Sequence, residues 1–296
     1  MSRILVTGAT GLCGRAFCLR LLEKSHEVFA VVKDREAKLP EGVCPVFIDL
    51  SKHWEIELLP QKIDMIVHLA QSPHFRDFPE RALDIFKVNV ESTARLLDYG
   101  KRIGIEKFIY TSSGGIYGNG SHAFQENAPV VPTSRLGHYL GTKSCCEILI
   151  NSYASVFNVV ILRPFFVYGP GQNQSMLMPR LFRNVSSNDS ILLDSSCGIR
   201  INPVHVNDAS IAIMNACELV NSTVINIAGP EVLSIREICD LFGSYLGKRP
   251  IYEKVSGDSR DLIGDISLMK KLLHVPTIRL RDVLEEFAQK TGQTPN

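Results

Sequence analysis

A phenol and an ammonium group stand four residues apart in the segment Tyr139-Leu-Gly-Thr-Lys143. In an α-helix this spacing places both side chains on one face, one turn apart. A tyrosine with a pKa of about 10 is a poor base at neutral pH, and a neighbouring ammonium lowers that pKa because it favours the phenolate. The pair is therefore a candidate for proton exchange with a substrate hydroxyl or carbonyl, with Tyr139 as the proton carrier and Lys143 as its activator.

Three glycines near the N-terminus form a second candidate site. Gly8, Gly11 and Gly14 follow an apolar segment at 4–6 and lead into a helical pattern at 14–24. Glycines in this setting make a tight turn and let backbone N–H groups approach a pyrophosphate at the helix N-terminus. The turn therefore predicts a dinucleotide-binding site.

Short apolar runs alternate with longer amphipathic segments through the first half of the chain. The predicted strands lie at 4–6, 28–32, 46–48, 65–69, 108–110 and 159–162, and the predicted helices at 14–24, 80–103 and 138–155. Apolar strands between helices are typical of a parallel sheet that is covered on both faces. The sequence therefore predicts an α/β fold with a doubly wound parallel sheet of the Rossmann type.

The pattern changes after Pro164, where glycines, prolines and a polar stretch interrupt shorter elements. We expect a dinucleotide-binding lobe at 1–164, which segments within 203–228 rejoin as a helix and a strand. A smaller α/β lobe at 165–202 and 229–296 is expected to bind the substrate.

Composition excludes several classes of function. The 296 residues include 32 Lys and Arg against 31 Asp and Glu, so no basic face is available to neutralise nucleic-acid phosphates. The apolar runs fall far short of the roughly 18 residues that a membrane span needs. The first strand begins too early to leave room for a signal peptide. We expect a cytoplasmic protein without nucleic-acid or membrane partners.

Side chains that bind metals show no ligand spacing in the sequence. The eight cysteines include no C-x-x-C pair, and we expect reduced, mostly buried thiols. The eight histidines include no H-x-x-x-H pair. No metal site is predicted.

Further motifs follow one another in a fixed order over nearly the whole chain. They are Gly8-Ala-Thr-Gly11-Leu-Cys-Gly14, Asp49-Leu50, His68-Leu69-Ala70, Asn89-Val90, Leu162-Arg163-Pro164-Phe165, Val167-Tyr168-Gly169-Pro170-Gly171-Gln172 and Asn226-Ile227-Ala228-Gly229-Pro230. Together with Tyr139 and Lys143, this order resembles the extended short-chain dehydrogenase/reductase superfamily, and within it the NAD(P)-dependent epimerase/dehydratase family. The resemblance implies hydride transfer with an NAD(P) cofactor at a sugar-like alcohol or ketone.

The resemblance also assigns roles to individual residues. In the family's serine-rich turn, matched here by 111–118, the position of Ser113 hydrogen-bonds the reacting oxygen, which completes a catalytic set with Tyr139 and Lys143. A serine hydrolase is rejected, because the sequence has no G-x-S-x-G turn with a supporting His and Asp. The implied cofactor contacts are Gly8, Thr10, Gly11, Leu12, Lys33, Asp49, Leu50, Leu69, Ala70, Asn89, Tyr139, Lys143, Pro164 and Phe165.

The choice between NAD and NADP depends on the end of the second strand. An acid there holds the ribose 2′-hydroxyl of NAD, whereas a base holds the 2′-phosphate of NADP. Asp34 follows Gly14 by 20 residues, but Lys33 and Arg35 flank it. Matching the family's pattern puts Val32 where the acid normally stands. The sequence slightly favours NADP, and a solvated surface charge is the alternative interpretation of Lys33.

The segments that would contact the substrate depart from the family's pattern. Its nucleotide-sugar epimerases carry an Asn that contacts the substrate diphosphate where this chain has Phe166. Arg200 stands one residue too early for the family's phosphate-binding arginine unless the loop bulges. Ser113, Phe166, Arg200 and His205 are the predicted substrate-side residues, and His205 is equally well explained as a core or lining residue. A nucleotide-linked sugar is the expected substrate class.

Three functions stay open at this point. The C-terminal pattern at 257–267 favours an epimerase or dehydratase that recycles its cofactor, whereas Lys33 favours an NADP-dependent carbonyl reductase of a non-nucleotide substrate. A non-catalytic NAD(P)-binding regulatory protein would not need the complete catalytic set. The resemblance also implies a homodimer formed through the helices at 80–103 and 138–155.

Overall fold

The computed structural model describes residues 1–257 and 260–291, so Asp258 of the predicted C-terminal pattern and the end of the predicted second lobe lie outside the described residues. The strands are β1 (Arg3–Thr7), β2 (Glu27–Val32), β3 (Cys44–Phe47), β4 (Met65–His68), β5 (Lys107–Thr111), β6 (Asn158–Pro164), β7 (Val167–Tyr168), β8 (Ser190–Leu193), β9 (Arg200–Ile201), β10 (Val204–His205), β11 (Thr223–Ile227), β12 (Leu233–Ser234) and β13 (Ile251–Lys254). The α-helices are α1 (Leu12–Glu23), α2 (Ala82–Phe86), α3 (Ser92–Ile103), α4 (Thr133–Asn151), α5 (Leu177–Ser187), α6 (Val206–Ala216), α7 (Ile235–Leu246), α8 (Ser267–Leu272) and α9 (Glu285–Thr291).

Among the described residues, seven strands form one sheet in the order β11-β6-β5-β4-β1-β2-β3. The neighbours of β1 both run parallel to it, with Thr7 opposite Val31 on one side and His68 on the other. This arrangement confirms the predicted doubly wound parallel sheet. The strand order reverses between β1 and β4, and ligands of open α/β sheets bind beyond the carboxyl ends of the strands at such a reversal.

Apolar side chains on the strands hold the sheet against its helices. Leu5, Ile66, Phe108 and Ile161 come from four different strands, pack in one cluster with Leu97 of α3, and are almost completely buried. Each such side chain contributes about 1.5–3 kcal/mol when it leaves water. This core fixes the strand ends that carry the candidate site.

The chain divides into two compact units. The first comprises 1–116, 129–163 and 210–225, and the second comprises 117–128, 164–209 and the described part of 226–296. Short two-stranded sheets, β7 with β10, β8 with β13 and β9 with β12, belong to the second unit. Phe182, Phe242 and Phe287 lie in its core. Substrate binding by this unit stays a prediction.

Two predicted helices have internal irregularities. The helix predicted at 80–103 consists of α2 and α3 joined by a π-helical turn at Lys87–Glu91. The helix predicted at 138–155 is α4, which is interrupted at Gly137, where φ is 66° and ψ is 178°. Neither irregularity has a signal in the apolar pattern.

The thiols are less buried than we expected from the sequence. All eight cysteines lie within the described residues and are free, but only Cys18, Cys146, Cys217 and Cys239 are buried, whereas Cys44, Cys145 and Cys197 are exposed. Within the same residues, no helix is long and apolar enough to cross a membrane, and no group of three His, Cys, Asp or Glu side chains could hold a metal ion.

Candidate active site

Close backbone contacts build the glycine turn between β1 and α1. Gly8 has a φ of 72°, and a Cβ there would lie 2.7 Å from the Ala70 nitrogen. A Cβ on Gly14 would lie 2.1 Å from the Gly8 oxygen. Gly11 supplies no side-chain cap to α1, and the first turn of that helix has no acidic residue. Side chains therefore do not compete with an anion for the first N–H groups of the helix.

The Asp49 carboxylate follows β3 and keeps one oxygen available. Its Oδ1 accepts hydrogen bonds from the amide and the hydroxyl of Ser51, at 3.0 and 2.6 Å. Its Oδ2 is buried and accepts no hydrogen bond from the described residues, although Lys33 Nζ lies 3.6 Å away. Burial would raise the pKa of Asp49, but the Ser51 hydrogen bonds, with Lys33 and Lys52, hold that pKa below its ordinary value. The ionised carboxylate can accept from an amino group such as that of adenine.

A histidine joins the carboxyl ends of β1 and β4. Thr7 Oγ1 lies 2.6 Å from His68 Nδ1, and Thr93 Oγ1 lies 3.0 Å from His68 Nε2. Because Thr93 donates its hydroxyl hydrogen to the Asn89 carbonyl at 2.6 Å, His68 Nε2 must carry the ring hydrogen and Nδ1 must accept from Thr7. Thr7 Oγ1 also accepts from the Ala70 amide at 3.2 Å. This network fixes the backbone that touches the glycine turn.

Asn89 supports the site from the π-helical turn. It is 1% exposed, its Oδ1 accepts from the Ser72 amide, and its Nδ2 donates to Thr142 Oγ1, both at 2.9 Å. Both ends of its amide are therefore engaged within the protein. The direct contact with the cofactor that the resemblance implies for Asn89 stays a prediction.

The remaining implied cofactor residues differ in exposure. Thr10 is exposed, Leu12, Leu50, Leu69 and Pro164 are half-buried, and Phe165 is buried. The last two belong to the second unit, where the Phe165 amide donates to the Ile227 carbonyl at 2.8 Å.

Tyr139 follows directly after the break in α4. Because Gly137 is not helical, Tyr139 lies in the first turn of the regular helix that continues to Asn151. Its hydroxyl donates to Gln71 Oε1 at 2.9 Å, and its ring packs at a tilt against Phe75, with centroids 5.1 Å apart. Burial raises the pKa of Tyr139 above its ordinary value. The lowered pKa that the sequence predicts for Tyr139 with its activator stays a prediction.

The ammonium group of Lys143 is buried one helical turn after Tyr139. Lys143 is 1% exposed, and its Nζ donates to the Thr111 carbonyl at 2.8 Å. The same Nζ lies 5.0 Å from the centroid of the Tyr110 ring, a cation–π distance. Burial lowers the pKa of Lys143 to about 8, with Glu147 acting in the opposite direction. At neutral pH Lys143 is mostly protonated and supplies a buried positive charge.

The serine turn after β5 packs against the same helix. Ser113 Oγ accepts from the Gly115 amide at 3.1 Å, which leaves the hydroxyl hydrogen for donation. A Cβ on Gly115 would lie 3.0 Å from Leu140 Cδ2, so the turn contacts α4 beside Tyr139. The structure therefore brings the turn with Ser113 and the helix with Tyr139 and Lys143 into contact. Their catalytic roles stay predictions.

The predicted substrate-side residues Phe166, Arg200 and His205 lie in the second unit. Phe166 has a φ of 46°, a left-handed conformation that is rare for a bulky residue. Arg200 makes two side-chain hydrogen bonds to Asp261 Oδ2, at 2.9 and 2.5 Å, so this carboxylate already engages its guanidinium.

His205 takes the core position that the sequence left open. It is 1% exposed, its Nδ1 accepts from a backbone N–H at 3.3 Å, and its Nε2 donates to Glu286 at 2.9 Å. Its ring meets Tyr168 edge-on, with centroids 5.3 Å apart. Both ring nitrogens are therefore used within the second unit.

Sequence reasoning missed two contacts of the site. Gln71 accepts from the Tyr139 hydroxyl, and no spacing links two residues so far apart in the chain. Glu147 forms an ion pair with Arg163 that is buried below Lys143 on α4. The spacing of four residues from Tyr139 to Lys143 and again to Glu147 places all three on one helix face, and this signal was available in the sequence.

The first unit fits a dinucleotide. Cβ atoms at Gly8 and Gly14 would collide with the backbone of this chain, so the glycines permit the tight turn that a phosphate needs at the start of α1, and Asp49 keeps a buried acceptor without a hydrogen-bond donor among the described residues. Both features lie beyond the carboxyl ends of parallel strands of one sheet, β1 and β3, which β2 separates.

Comparisons with known proteins agree with this geometry. The model of the NAD dependent epimerase/dehydratase family matches residues 4–228. The uncharacterized UDP-glucose epimerase YtcB of Bacillus subtilis (strain 168) is 28% identical, over 95% of both chains. A dTDP-4-dehydro-6-deoxy-D-allose reductase of a Streptomyces species is 26% identical, over 97% of this chain and 95% of the relative.

A solved structure is similar over almost the whole fold. It is the UDP-glucuronic acid 4-epimerase from Bacillus cereus in complex with UDP-glucuronic acid and NAD, which is 27% identical, has a TM-score of 0.86, and covers 98% of this chain and 99% of its own. These matches confirm the family and the class of enzyme expected from the motifs. This chain belongs to the NAD-dependent epimerase/dehydratase family, whose members are enzymes of the extended short-chain dehydrogenase type.

Proposed function

We propose that this enzyme is a nucleotide-sugar epimerase that inverts a hydroxyl-bearing carbon of a UDP-hexose. The observation that carries the proposal is the proton carrier Tyr139 on α4, one helical turn before the buried ammonium of Lys143, on a helix that the turn with Ser113 contacts. The relatives that bind or act on UDP-glucose and UDP-glucuronic acid supply the substrate class.

The residues of this chain would transfer one proton from the substrate and back to it. Ser113 has a hydroxyl hydrogen to donate to the reacting oxygen, and Tyr139 takes the proton from the sugar hydroxyl and later returns it to the ketone. Lys143 favours the phenolate form of Tyr139 by its charge. NAD(P), when bound at the glycine turn and Asp49, supplies the hydride acceptor and donor.

A dehydratase would need more chemistry than this site offers. Elimination of water removes a proton from one carbon and protonates a leaving hydroxyl on the next, so it needs a further acid–base pair. The turn at 111–118 contains no carboxylate, histidine or lysine. Epimerisation needs only the proton carrier already present, and we therefore favour an epimerase over a dehydratase.

A reductase of a 4-keto nucleotide sugar is the second candidate. The Streptomyces relative is such a reductase by name, and Lys33 stands where a base would hold NADP. A reductase consumes one reduced cofactor per turnover, whereas an epimerase recycles its cofactor. Consumption of NADPH therefore separates the two functions.

The preference for NADP is proposed only as a slight one. Lys33 Nζ already lies 3.6 Å from Asp49, which supports the interpretation of Lys33 as a paired surface charge. Asp34 and Arg35 both line a cavity of about 230 Å³ beside the end of β2, so an acid and a base are equally placed there. The solved relative holds NAD.

The test is an assay of the purified enzyme with UDP-glucose and UDP-glucuronic acid, followed by proton NMR. We expect a mixture of C4 epimers without net consumption of added NADH or NADPH. Tyr139→Phe keeps the ring and removes the proton carrier, so it should abolish turnover and leave cofactor binding nearly unchanged. Unchanged turnover in that variant would contradict the role of Tyr139 as proton carrier. If the protein bound neither cofactor, the proposed function as an epimerase would be wrong.

A homodimer stays a proposal that rests on the family resemblance. Ile148 on α4 is 69% exposed, and Leu83 on α2 is 76% exposed. These exposed apolar side chains support a surface on the two helices that a second subunit covers. Ile148→Asp should shift the mass measured by light scattering from dimer to monomer. Leu192→Asp, at an exposed apolar residue of the second unit, should leave the mass unchanged.

A further inference from the structure

Hydrogen bonds hold the backbone on both sides of Gln71. The amide of Ala70, one residue before it, donates to Thr7 Oγ1, and the amide of Ser72, one residue after it, donates to Asn89 Oδ1. Ser72 is fully buried, and its hydroxyl donates to Asp84 at 2.7 Å. The backbone of Gln71 is thus fixed on both sides although its side chain is exposed.

The same hydrogen bonds connect this loop to the helix turn that carries Tyr139. Asn89 Nδ2 donates to Thr142 Oγ1 at 2.9 Å, and Thr142 donates to the Tyr139 carbonyl at 2.7 Å. The Phe75 ring, further along the loop, packs against the Tyr139 ring. Besides the contact of Gln71 with the hydroxyl, Asn89 and the Phe75 ring therefore hold the loop and the helix together.

A side-chain amide can pair with both protonation states of a tyrosine. Its oxygen accepts from the phenol, as Gln71 Oε1 does from Tyr139 at 2.9 Å. Rotated by half a turn about its terminal bond, the same amide presents an N–H group that donates to the phenolate. A carboxylate in this place can only accept, and it would repel the phenolate.

We propose that Gln71 is a positioning residue for Tyr139, whose amide fixes the direction of the phenolic O–H bond and stabilises either protonation state in turn. The consequence for catalysis rests on the proposed function, because it needs Tyr139 to be the proton carrier. The contact itself does not depend on the substrate.

Other titratable or charged groups lie on the elements that pack around Tyr139. They are His138 and Lys143 on α4, Tyr110 on β5, His68 on β4, Asp84 on α2, and His74, Arg76 and Asp77 on the loop, of which His74 and Asp77 pair at 2.9 Å. Only Gln71 makes a hydrogen bond to the Tyr139 hydroxyl among the described side-chain contacts. A change of charge at residue 71 should therefore act on Tyr139 more strongly than the same change elsewhere.

The test is the titration of Tyr139 in protein labelled with ¹³C at the ζ carbon of tyrosine, with NAD⁺ added. The chain has eight tyrosines, and the resonance lost in Tyr139→Phe identifies Tyr139. We expect Gln71→Glu to move its titration upward by about one unit or more, a tenfold loss of phenolate at a fixed pH. The matched control is Gln61→Glu, which adds the same charge at an exposed glutamine before β4 and should leave the titration in place.

A shift in Gln71→Glu that is no larger than in Gln61→Glu would overturn the proposal. Gln71→Asn gives a second check without added charge, since its amide is too short to reach the hydroxyl. It should lower kcat for the nucleotide sugar and leave KM unchanged, and an unchanged kcat would also count against the proposal. If the wild-type protein converts no nucleotide sugar but the titration shifts as expected, the proposed function fails and the positioning of Tyr139 by Gln71 stands.

Discussion

Glu147 and Arg163 form an ion pair in which both side chains are 8% exposed. Arg163 on β6 donates from Nε to Glu147 Oε1 at 3.0 Å and from a terminal nitrogen to Oε2 at 2.6 Å. The pair ties α4 to the sheet two turns beyond Tyr139, and the carboxylate favours the charged form of Lys143. It therefore fixes the helix that carries the catalytic set.

Replacing Glu147 by Gln should destabilise the fold strongly. The substitution leaves the Arg163 guanidinium buried without its counter-charge, which costs about 3–5 kcal/mol when one partner of a buried pair is removed. Urea denaturation followed by circular dichroism gives this difference in the free energy of unfolding.

An exposed pair on a neighbouring helix is the control for that measurement. Asp98 and Arg102 on α3 lie 2.7 Å apart but are 42% and 58% exposed, so solvent screens them. Asp98→Asn should cost less than about 0.5 kcal/mol. Equal losses in the two variants would show that the Glu147–Arg163 pair has no special part in holding α4.

Gly14→Ala should weaken cofactor binding without unfolding the protein. The new Cβ would lie 2.1 Å from the Gly8 oxygen, so the turn must open and withdraw its N–H groups from the phosphates. We expect calorimetry with NAD⁺ to show affinity lower by at least about tenfold, or about 1.4 kcal/mol.

Gly141→Ala provides the comparison for that glycine. Gly141 lies inside α4 with no atom within 4 Å of the added Cβ, so alanine should raise stability by about 0.5–1 kcal/mol and leave NAD⁺ affinity unchanged. Comparable losses of affinity in both variants would argue against a special role of the glycine turn.

Features that depend on local sequence were predictable. The glycine turn follows from three glycines between a strand and a helix, and the shared helix face of Tyr139 and Lys143 follows from a spacing of four. The alternation of apolar strands and helices gave the parallel sheet because its strands are buried on both faces.

Features that depend on distant contacts were not predictable from these patterns. The Gln71 amide meets Tyr139 only because β4 lies beside β5 in the sheet, so that the loop after β4 packs against α4. The spacing of Tyr139 and Lys143 reveals neither the burial that raises the pKa of Tyr139 nor the hydrogen bond from Lys143 to the Thr111 carbonyl. The break at Gly137 has no counterpart in the apolar pattern, since glycine also occurs inside helices.

The stability of the protein should fall in acid because of His68. Burial, with a smaller contribution from Lys143, lowers the pKa of His68 to about 3 from an ordinary value of 6.5. Between these values the unfolded chain binds a proton that the folded chain does not, so stability falls as pH decreases from 6.5 towards 3, by up to about 1.4 kcal/mol per unit. His68→Gln should flatten this part of the curve, as measured by urea denaturation at several pH values.

His122→Gln tests whether that effect belongs to His68. The side chain of His122 is exposed and bonds only to its neighbour Ser121 among the described hydrogen bonds. Its pH–stability curve should follow that of the wild type. A His68→Gln curve as steep as the wild-type curve would assign the acid sensitivity to other groups.

Lys33→Ala should separate the two cofactors. If Lys33 holds the 2′-phosphate, the variant loses a charge-assisted hydrogen bond to NADP⁺, worth about 1.5–3 kcal/mol, and keeps its affinity for NAD⁺. Calorimetric titration of both cofactors measures the difference. Equal effects on NAD⁺ and NADP⁺ would show that Lys33 acts only as the ion-pair partner of Asp49, which lies 3.6 Å from its Nζ. The slight preference for NADP would then be wrong.

Phe166→Asn should strengthen the binding of a nucleotide diphosphate. Phe166 has a φ of 46°, a conformation in which asparagine is several-fold enriched and a phenyl side chain is strained. The family resemblance places a diphosphate-binding Asn at this position, so the substitution restores a donor on a backbone that already suits it. We expect affinity for UDP, measured by calorimetry, to rise about tenfold, as one hydrogen bond to a charged group provides. Phe166→Leu removes the ring without adding a donor and should give no gain; an equal gain in both variants would mean that the ring only obstructs the site.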